Sequence, residues 1–239
     1  MIELGDIVRI NKLLSNLGIC SRKEAARYIE DGRIKINGVL SIPGQWVEED
    51  DEILIDDQPV AAREKVYIAL NKPVGITCTA EKTVKDNIIE YVNYPEYIFP
   101  VGRLDKPSQG LIILTNDGVL ANKILESENE HEKEYIVTLD KDFDEKFIEG
   151  MSSGVEICGQ ITRPCKVFRV DNNTFRIILT QGLNKQIRRM SKVFGYNVIR
   201  LERVRIMNIT LDGIEYGKYR FISESEMDEM LRLTEKNNL

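Results

Sequence analysis

The low histidine content limits the catalytic mechanisms that this chain could use. His131 is the only histidine among 239 residues, whereas a Ser-His-Asp triad and a Cys-His pair each need a positioned imidazole. The same shortage argues against metal sites built from several histidines. If the chain is an enzyme, we therefore expect carboxylates, tyrosine, lysine and arginine to carry the reaction.

Cysteines and glycine-rich motifs exclude further classes. The four cysteines stand far apart and form no CxxC pair, so we expect no disulfide, no metal site and reduced thiols in the cytoplasm. His131 has only Glu130 and Glu132 beside it, so we expect a loop residue rather than a ligand. Neither GxxxxGK[ST] nor GxGxxG occurs, which makes a nucleotide-dependent enzyme a distant alternative. No apolar run is long enough for a membrane span, and we expect no secretory signal.

One carboxylate lies in an unusual string, residues 101–111, which reads VGRLDKPSQGL. An Asp between an apolar segment and a loop with Pro and Gly is most often a turn or cap residue. Asp105 by itself therefore indicates a turn. Its string has to agree with other motifs before it indicates a catalytic group.

Charge is unevenly distributed, although the net charge is −6. Residues 48–57 are acidic with no basic residue, whereas residues 9–35 and 185–205 each contain seven Lys or Arg. Binding to a polyanion depends on local basic surface, because charges more than about 10 Å away are screened at physiological salt. The acidic total therefore does not exclude a nucleic-acid partner.

The elements that must position these residues form two modules. Helical spacing and a capping box, Ser21 with Glu24, predict two helices, and Asn37-Gly38 predicts a hairpin after them. After a polar linker over 56–64, apolar strands alternate with short helices to the end of the chain. We predict an α+β fold: a small domain of two helices and a short sheet over 1–60, then a larger domain over 66–239. The larger domain should have a mixed, mainly antiparallel sheet with flanking helices.

The first module resembles the S-four-type RNA-binding domain, named after a small-subunit ribosomal protein. The resemblance rests on residues 9–14, 18–25 and 32–38 and covers nearly the whole module. It implies a helical pair whose basic side chains contact RNA phosphates, mostly by shape. The alternative for these side chains is an ordinary solvated helical face. They are Arg9, Lys12, Arg22, Lys23 and Arg27.

The second module resembles the pseudouridine synthases that act on ribosomal RNA. Gly102-Arg103-Leu104-Asp105, with the strings 110–111 and 114–118, looks like their catalytic motif. Three further strings agree in order and spacing: 70–75, Lys133-Glu134-Tyr135 and the basic segment 182–190. The resemblance implies an isomerase that converts one uridine of large-subunit ribosomal RNA to pseudouridine without a cofactor. It also implies that the base is flipped out of its stack.

The resemblance also implies roles for individual residues. Asp105 would be the catalytic carboxylate, acting as nucleophile or as acid/base, and Arg188 would keep it ionised. Tyr135 would stack on the base and Ile187 would lie under it. Arg103 would either fill the space that the base leaves or form a salt bridge. Phosphate contacts would come from Lys72, Lys185, Arg189, Arg200, Arg203 and Arg205.

The sequence leaves alternatives open. The chain could be a non-catalytic RNA-binding protein with a degenerate synthase domain, although Asp105, Tyr135 and Arg188 are all present. Its target could instead be a uridine of transfer RNA or small-subunit RNA, because such recognition depends on shape and splayed bases. The default expectation for the oligomeric state is a monomer.

Overall fold

The structure is a computed structural model, and it describes residues 7–48, 50–81, 83–126 and 130–235. The helices within these ranges are α1 Ile10–Asn16, α2 Arg22–Glu30, α3 Ile88–Val92, α4 Gly118–Leu125, α5 Glu145–Ser152, α6 Gln186–Val193 and α7 Glu224–Glu235. The strands are β1 Val8–Arg9, β2 Ile34–Ile36, β3 Val39–Leu40, β4 Trp46–Val47, β5 Ile53–Ile55, β6 Gln58–Pro59, β7 Tyr67–Lys72, β8 Phe99–Val101, β9 Gln109–Thr115, β10 Lys133–Leu139, β11 Glu156–Ile157, β12 Gln160–Ile161, β13 Lys166–Arg169, β14 Thr174–Leu179, β15 Val198–Ile206, β16 Ile209–Thr210 and β17 Tyr219–Phe221.

The chain divides into two compact units. The first contains the chain up to Val66 together with Tyr94–Ile98 and Thr115–Ala121, and the second contains the remainder. The unit at the N-terminus thus includes two short segments from later in the chain. Asn116 belongs to it because its side chain accepts a hydrogen bond from Val66 N and donates one to Glu64 O.

The first unit is built as its sequence predicts. Helices α1 and α2 pack their apolar faces on a common core with β2 and β5. The Ser21 hydroxyl accepts a hydrogen bond from Glu24 N at 3.1 Å and caps α2. Asn37 and Gly38 both have positive φ, as a two-residue hairpin between β2 and β3 requires. The linker prediction is wrong at its start, because β6 pairs with β5 through a turn at Asp56 and Asp57.

The second unit contains most of a mixed sheet that has nine strands among the described residues. Seven of them follow the order β13-β14-β10-β15-β9-β7-β17, while β16 pairs with β15 and β8 pairs with β9. Strands β13, β14, β10 and β15 pair antiparallel, whereas β15 and β9 pair in parallel. The predicted α+β class with a mainly antiparallel sheet is confirmed. The edge strand β17, which pairs with β7, has no counterpart among the predicted elements.

The parallel pair brings two chain segments unusually close. Gly110 of β9 lies opposite Arg203 of β15, and its φ is +106°. A Cβ on Gly110 would lie 2.3 Å from Arg203 O, which no side chain tolerates. Glycine at this position therefore lets β15 approach β9, the strand that follows the loop with Asp105.

Candidate active site

A cavity of about 450 Å³ opens in the second unit, and every residue that lines it belongs to that unit. Its floor is one face of the sheet, formed by Leu179 of β14, Lys133 and Tyr135 of β10, and Leu201 and Arg203 of β15. The loop after β8 and the segment that leads into α6 form its walls. The cavity thus collects residues from distant parts of the sequence.

Asp105 lies in the loop between β8 and β9 and lines the cavity. Its carbonyl oxygen accepts a hydrogen bond from Ser108 N at 2.9 Å, so the loop turns sharply there. Cys78 Sγ accepts a hydrogen bond from Leu104 N at 3.4 Å and holds the preceding residue. The Asp105 side chain is 26% exposed, which leaves its carboxylate accessible from the cavity.

Arg188 approaches Asp105 from the first turn of α6. Its Nε lies 3.9 Å from Asp105 Oδ2, while Nη1 donates to Val198 O and Nη2 to Ser108 Oγ, both at 3.0 Å. Burial lowers the pKa of Arg188 and the charge of Asp105 opposes this shift. A guanidinium stays protonated in proteins, so Arg188 places a fixed positive charge beside the Asp105 carboxylate.

Tyr135 and Ile187 supply flat and apolar surface beside the carboxylate. Both are buried and line the cavity. Tyr135 lies opposite Arg203 on the neighbouring strand, so the two side chains share one face of the sheet. The cavity thereby combines a carboxylate with an aromatic ring and an aliphatic side chain, as a site for a planar base would require.

Arg103, Lys185 and Arg189 lie nearer the solvent. All three are exposed, and the first two line the cavity. Arg189 is the neighbour of Arg188 on α6, but it faces away and donates to Asn184 Oδ1 at 2.9 Å. Adjacent helical residues point about 100° apart, which separates one arginine for the cavity from one for the surface.

The structure corrects three expectations about basic residues. Lys72 is fully buried and its ammonium donates to Pro73 O at 2.8 Å, so the expected phosphate contact is not available to it. Arg203 is 3% exposed and lies in the cavity, not on the surface. Arg205 forms ion pairs with Glu132 at 2.9 Å and Glu134 at 2.8 Å and is therefore already neutralised.

His131 lies in the loop before β10, as the sequence predicts, and it is buried there with Nε2 3.1 Å from Lys123 O. Burial lowers its pKa, so it is neutral at physiological pH. Within the described ranges, no group of three or more His, Cys, Asp or Glu side chains has an arrangement that could hold a metal ion. All four cysteines are free thiols.

Sequence reasoning missed two members of the site. Ser108 is buried, lines the cavity and accepts a hydrogen bond from Arg188. Lys133 also lines the cavity, and burial together with the nearby charge of Arg203 lowers its pKa to about 8. Lys133 could have been predicted as a site residue from the sequence, because it stands two residues before Tyr135 on one strand and alternate residues of a strand share a face.

The first unit carries an exposed basic surface. All five of the predicted RNA-contacting residues there are exposed: Arg9, Lys12, Arg22, Lys23 and Arg27. The Arg9 guanidinium lies 5.1 Å from the centre of the Trp46 ring, which is itself exposed. An arginine beside an exposed aromatic ring provides both charge and stacking surface. No helix among the described residues is long and apolar enough to cross a membrane.

Comparison with known families covers both units. Residues 66–192 match the family RNA pseudouridylate synthase, and residues 8–53 match the S4 domain. The dual-specificity RNA pseudouridine synthase RluF of Escherichia coli strain K12 is 51% identical over 234 residues, which cover 97% of this chain and 81% of that protein. The ribosomal large subunit pseudouridine synthase B of Bacillus subtilis is 28% identical over 236 residues, covering 95% and 97% of the two chains.

A crystal structure of a pseudouridylate synthase superposes with a TM-score of 0.70 at 29% identity, and covers 93% of this chain and 99% of the other. Within the family, the strings 106–110 and 131–135 look most like ribosomal large subunit pseudouridine synthase F. The similarity to RluF agrees with them. The chain therefore belongs to the RNA pseudouridine synthases and acts on RNA as an isomerase, with an S4 domain ahead of its synthase domain.

Proposed function

We propose that this chain isomerises a specific uridine of large-subunit ribosomal RNA and that Asp105 is its catalytic carboxylate. The observation that carries the proposal is the contact of Asp105 with Arg188 in a cavity that Tyr135 and Ile187 also line. Asp105 is the single carboxylate among the described residues of that lining. Bond formation to C1′ of the ribose and removal of its 2′ proton both need a carboxylate at such a position.

The base must reach this carboxylate from a folded RNA. A stacked uridine cannot enter the cavity, so it is flipped out at a cost of about a few kcal/mol. Tyr135 stacks on the base, Ile187 lies under it, and Arg103 at the rim enters the space that it vacates. Lys185 and Arg189 contact the flanking phosphates, because both are exposed beside the cavity. The isomerisation consumes no cofactor.

Residues 1–60 form the RNA-binding domain in this proposal, and residues 66–239 form the catalytic domain. The exposed residues Arg9, Lys12, Arg22, Lys23 and Arg27 contact phosphates of structured RNA. A monomer is the proposed oligomeric state. Action on ribosomal RNA implies that the enzyme works in the cytoplasm.

The target proposal draws on the relatives. One relative is named for the large ribosomal subunit and the other for dual specificity. The experiment therefore offers wild-type protein three unmodified pools: transcripts of E. coli large-subunit RNA, small-subunit RNA and transfer RNA. Pseudouridine is mapped by carbodiimide adducts and reverse-transcription stops. We expect a stop at one uridine, or a small defined set, in the large-subunit RNA.

Asp105→Asn should abolish the stop while RNA binding stays near that of wild type, because one charge changes in a large interface. Asp86→Asn is the matched control, since Asp86 is exposed, does not line the cavity and has a positive φ that Asn tolerates. Turnover by Asp105→Asn would end the assignment of Asp105. Stops only in transfer RNA or small-subunit RNA would refute the proposed target, and no stop in any pool would favour a non-catalytic RNA-binding protein.

A further inference from the structure

The cavity holds more positive charge than its carboxylate can balance. Five cationic side chains line it, against Asp105 alone: Arg103, Lys133, Lys185, Arg188 and Arg203. Arg188 is the one that forms an ion pair with Asp105. Lys133 and Arg203 have no ion pair among the described residues. Arg203 is buried and Lys133 is half-buried, and such cations without a counter-charge are costly unless a ligand supplies one.

The hydrogen bonding of Arg203 leaves part of its guanidinium without an acceptor. Its Nε donates to Leu111 O at 2.7 Å, which fixes the plane of the group against β9. Its Nη2 is buried and has no hydrogen-bond partner within the described part of the chain. The residue is only 3% exposed and lies on the cavity floor opposite Tyr135. A guanidinium on the cavity floor with unused hydrogen-bonding capacity is a candidate partner for a ligand acceptor.

Lys133 adds a second charge to the same floor. It stands two residues before Tyr135, lines the cavity, and its Nζ donates to His131 O at 3.3 Å. The charge of Arg203 is one of the causes that lower its pKa, so the two cations lie close enough to repel each other. An anion placed between them would relieve this repulsion.

The reaction produces such an anion at this place. The C1′–N1 bond breaks with its electron pair left on N1, while the ribose bonds to the Asp105 carboxylate or gives up its 2′ proton to it. The detached uracil then carries one negative charge, spread over N1 and the carbonyl oxygens. A C1′–C5 bond forms next as the bond from C1′ to Asp105 breaks, or as Asp105 returns the 2′ proton, and the proton of C5 moves, in the net reaction, to N1. Between these steps the base turns without a covalent tether.

We infer that Arg203 and Lys133 hold the detached uracil as its anion, with the Arg203 guanidinium donating to a carbonyl oxygen of the base. This inference rests on the proposed function and extends it to the half of the reaction that Asp105 does not touch. Donors aimed at developing charge accelerate a reaction more than they strengthen substrate binding. Both residues are therefore assigned to the chemical step and not to RNA affinity.

Binding of free bases tests the inference without turnover. Uracil is neutral at pH 7, whereas 5-nitrouracil has lost a ring proton and is an anion of nearly the same shape. Calorimetric titration of the full chain should show 5-nitrouracil binding about tenfold or more tighter than uracil, the scale of one charge-assisted hydrogen bond. The ratio of the two affinities should fall to near one in Arg203→Gln and should fall in Lys133→Met.

The controls separate a ligand contact from a structural role. Arg203→Lys keeps the charge and should keep much of the preference for 5-nitrouracil over uracil. It replaces Arg203→Gln as the test variant if Arg203→Gln does not fold. Arg176→Gln removes a half-exposed charge beside Glu134 on the outer face of the sheet and should leave the ratio unchanged. A ratio of two affinities is insensitive to the folded fraction, so a merely destabilised variant would not change it.

Kinetics supply the second readout. On the large-subunit transcript, Arg203→Gln should lower the single-turnover rate about 10²-fold while the Kd for RNA stays within about threefold. Equal binding of uracil and 5-nitrouracil by wild type would overturn the inference even if pseudouridine forms. So would an Arg203-dependent affinity for inorganic phosphate alone, because the cations would then hold a phosphate. If wild type forms no pseudouridine but prefers the anion, the proposed function fails and the anion site stands.

Discussion

Substituting Gly110 with alanine should damage both the stability and the site of this enzyme. Gly110 has a φ of +106°, and a Cβ there would lie 2.3 Å from Arg203 O and 2.7 Å from Arg203 N. These are backbone atoms of a paired strand, so they cannot rotate away as the end of a side chain would. Strand β15 must instead move away from β9, and Arg203 moves with it.

The expected cost has two parts. Holding an alanine in this backbone region costs about 1–3 kcal/mol. The overlap with β15 adds about 1–3 kcal/mol, the usual range for forced overpacking. Gly75→Ala is the matched control, because Gly75 has a φ of +93° and no atom lies within 4 Å of the position that a Cβ would take there. The control therefore carries the backbone strain without the overlap.

Thermal unfolding followed by circular dichroism measures the difference. A loss of 1 kcal/mol lowers the Tm by about 2–4 °C in a chain of this size, so Gly110→Ala should unfold roughly 2–12 °C below Gly75→Ala. It should also lose single-turnover activity at temperatures where it is folded. Equal Tm values for the two variants would refute the close approach of β9 and β15 as the reason for glycine at this position.

Two further predictions concern charges outside the cavity. Arg220 holds the pKa of Glu226 at about 2 through a double hydrogen bond, so this pair stabilises the fold above the usual carboxyl pKa near 4.5 and loses its effect as the pH falls through 2. Glu226→Gln should thus lower the free energy of unfolding by about 1 kcal/mol at pH 7 and by almost nothing near pH 2. Urea titration measures both values, and an equal loss at the two pH values would contradict the assignment. In the first unit, the double variant Arg22→Gln and Arg27→Gln should reduce the slope of log K for RNA against log salt by about 0.7–0.9 per lost contact. Arg232→Gln on α7 is its control, and an unchanged slope in the double variant would show that the surface of α2 does not contact phosphates.

Much of the fold followed from local sequence signals. Ser21 and Glu24 define the start of α2, and Asn37-Gly38 defines a hairpin, because caps and tight turns depend on residues a few positions apart. The edge strand β17 could not be predicted in this way. It forms because Tyr219–Phe221 pairs with β7, a strand from the beginning of the second unit, and no local pattern records such a partner.

The site shows the same division. Asp105, Tyr135 and Arg188 belong to motifs that all resemble one family, the pseudouridine synthases. The structure brings these three residues to one cavity. The locations of the basic residues were predicted less well, because the sequence does not distinguish a lysine or arginine on the surface from one in the core. Lys72 and Arg203 were expected at phosphates and are buried instead.

The candidate catalytic residues, and the order of the elements that carry them, can be predicted from the sequence alone. The folded structure was needed to show which cations line the cavity with Asp105. Arg203 and Arg205 are two residues apart on one strand, yet the first lies in the cavity and the second is neutralised by Glu132 and Glu134. The physical reason is the pairing of β15 with β10, whose register shifts between Glu134 and Tyr135 and so gives the two arginines different neighbours. Those neighbours decide whether a buried charge is balanced or left for a ligand.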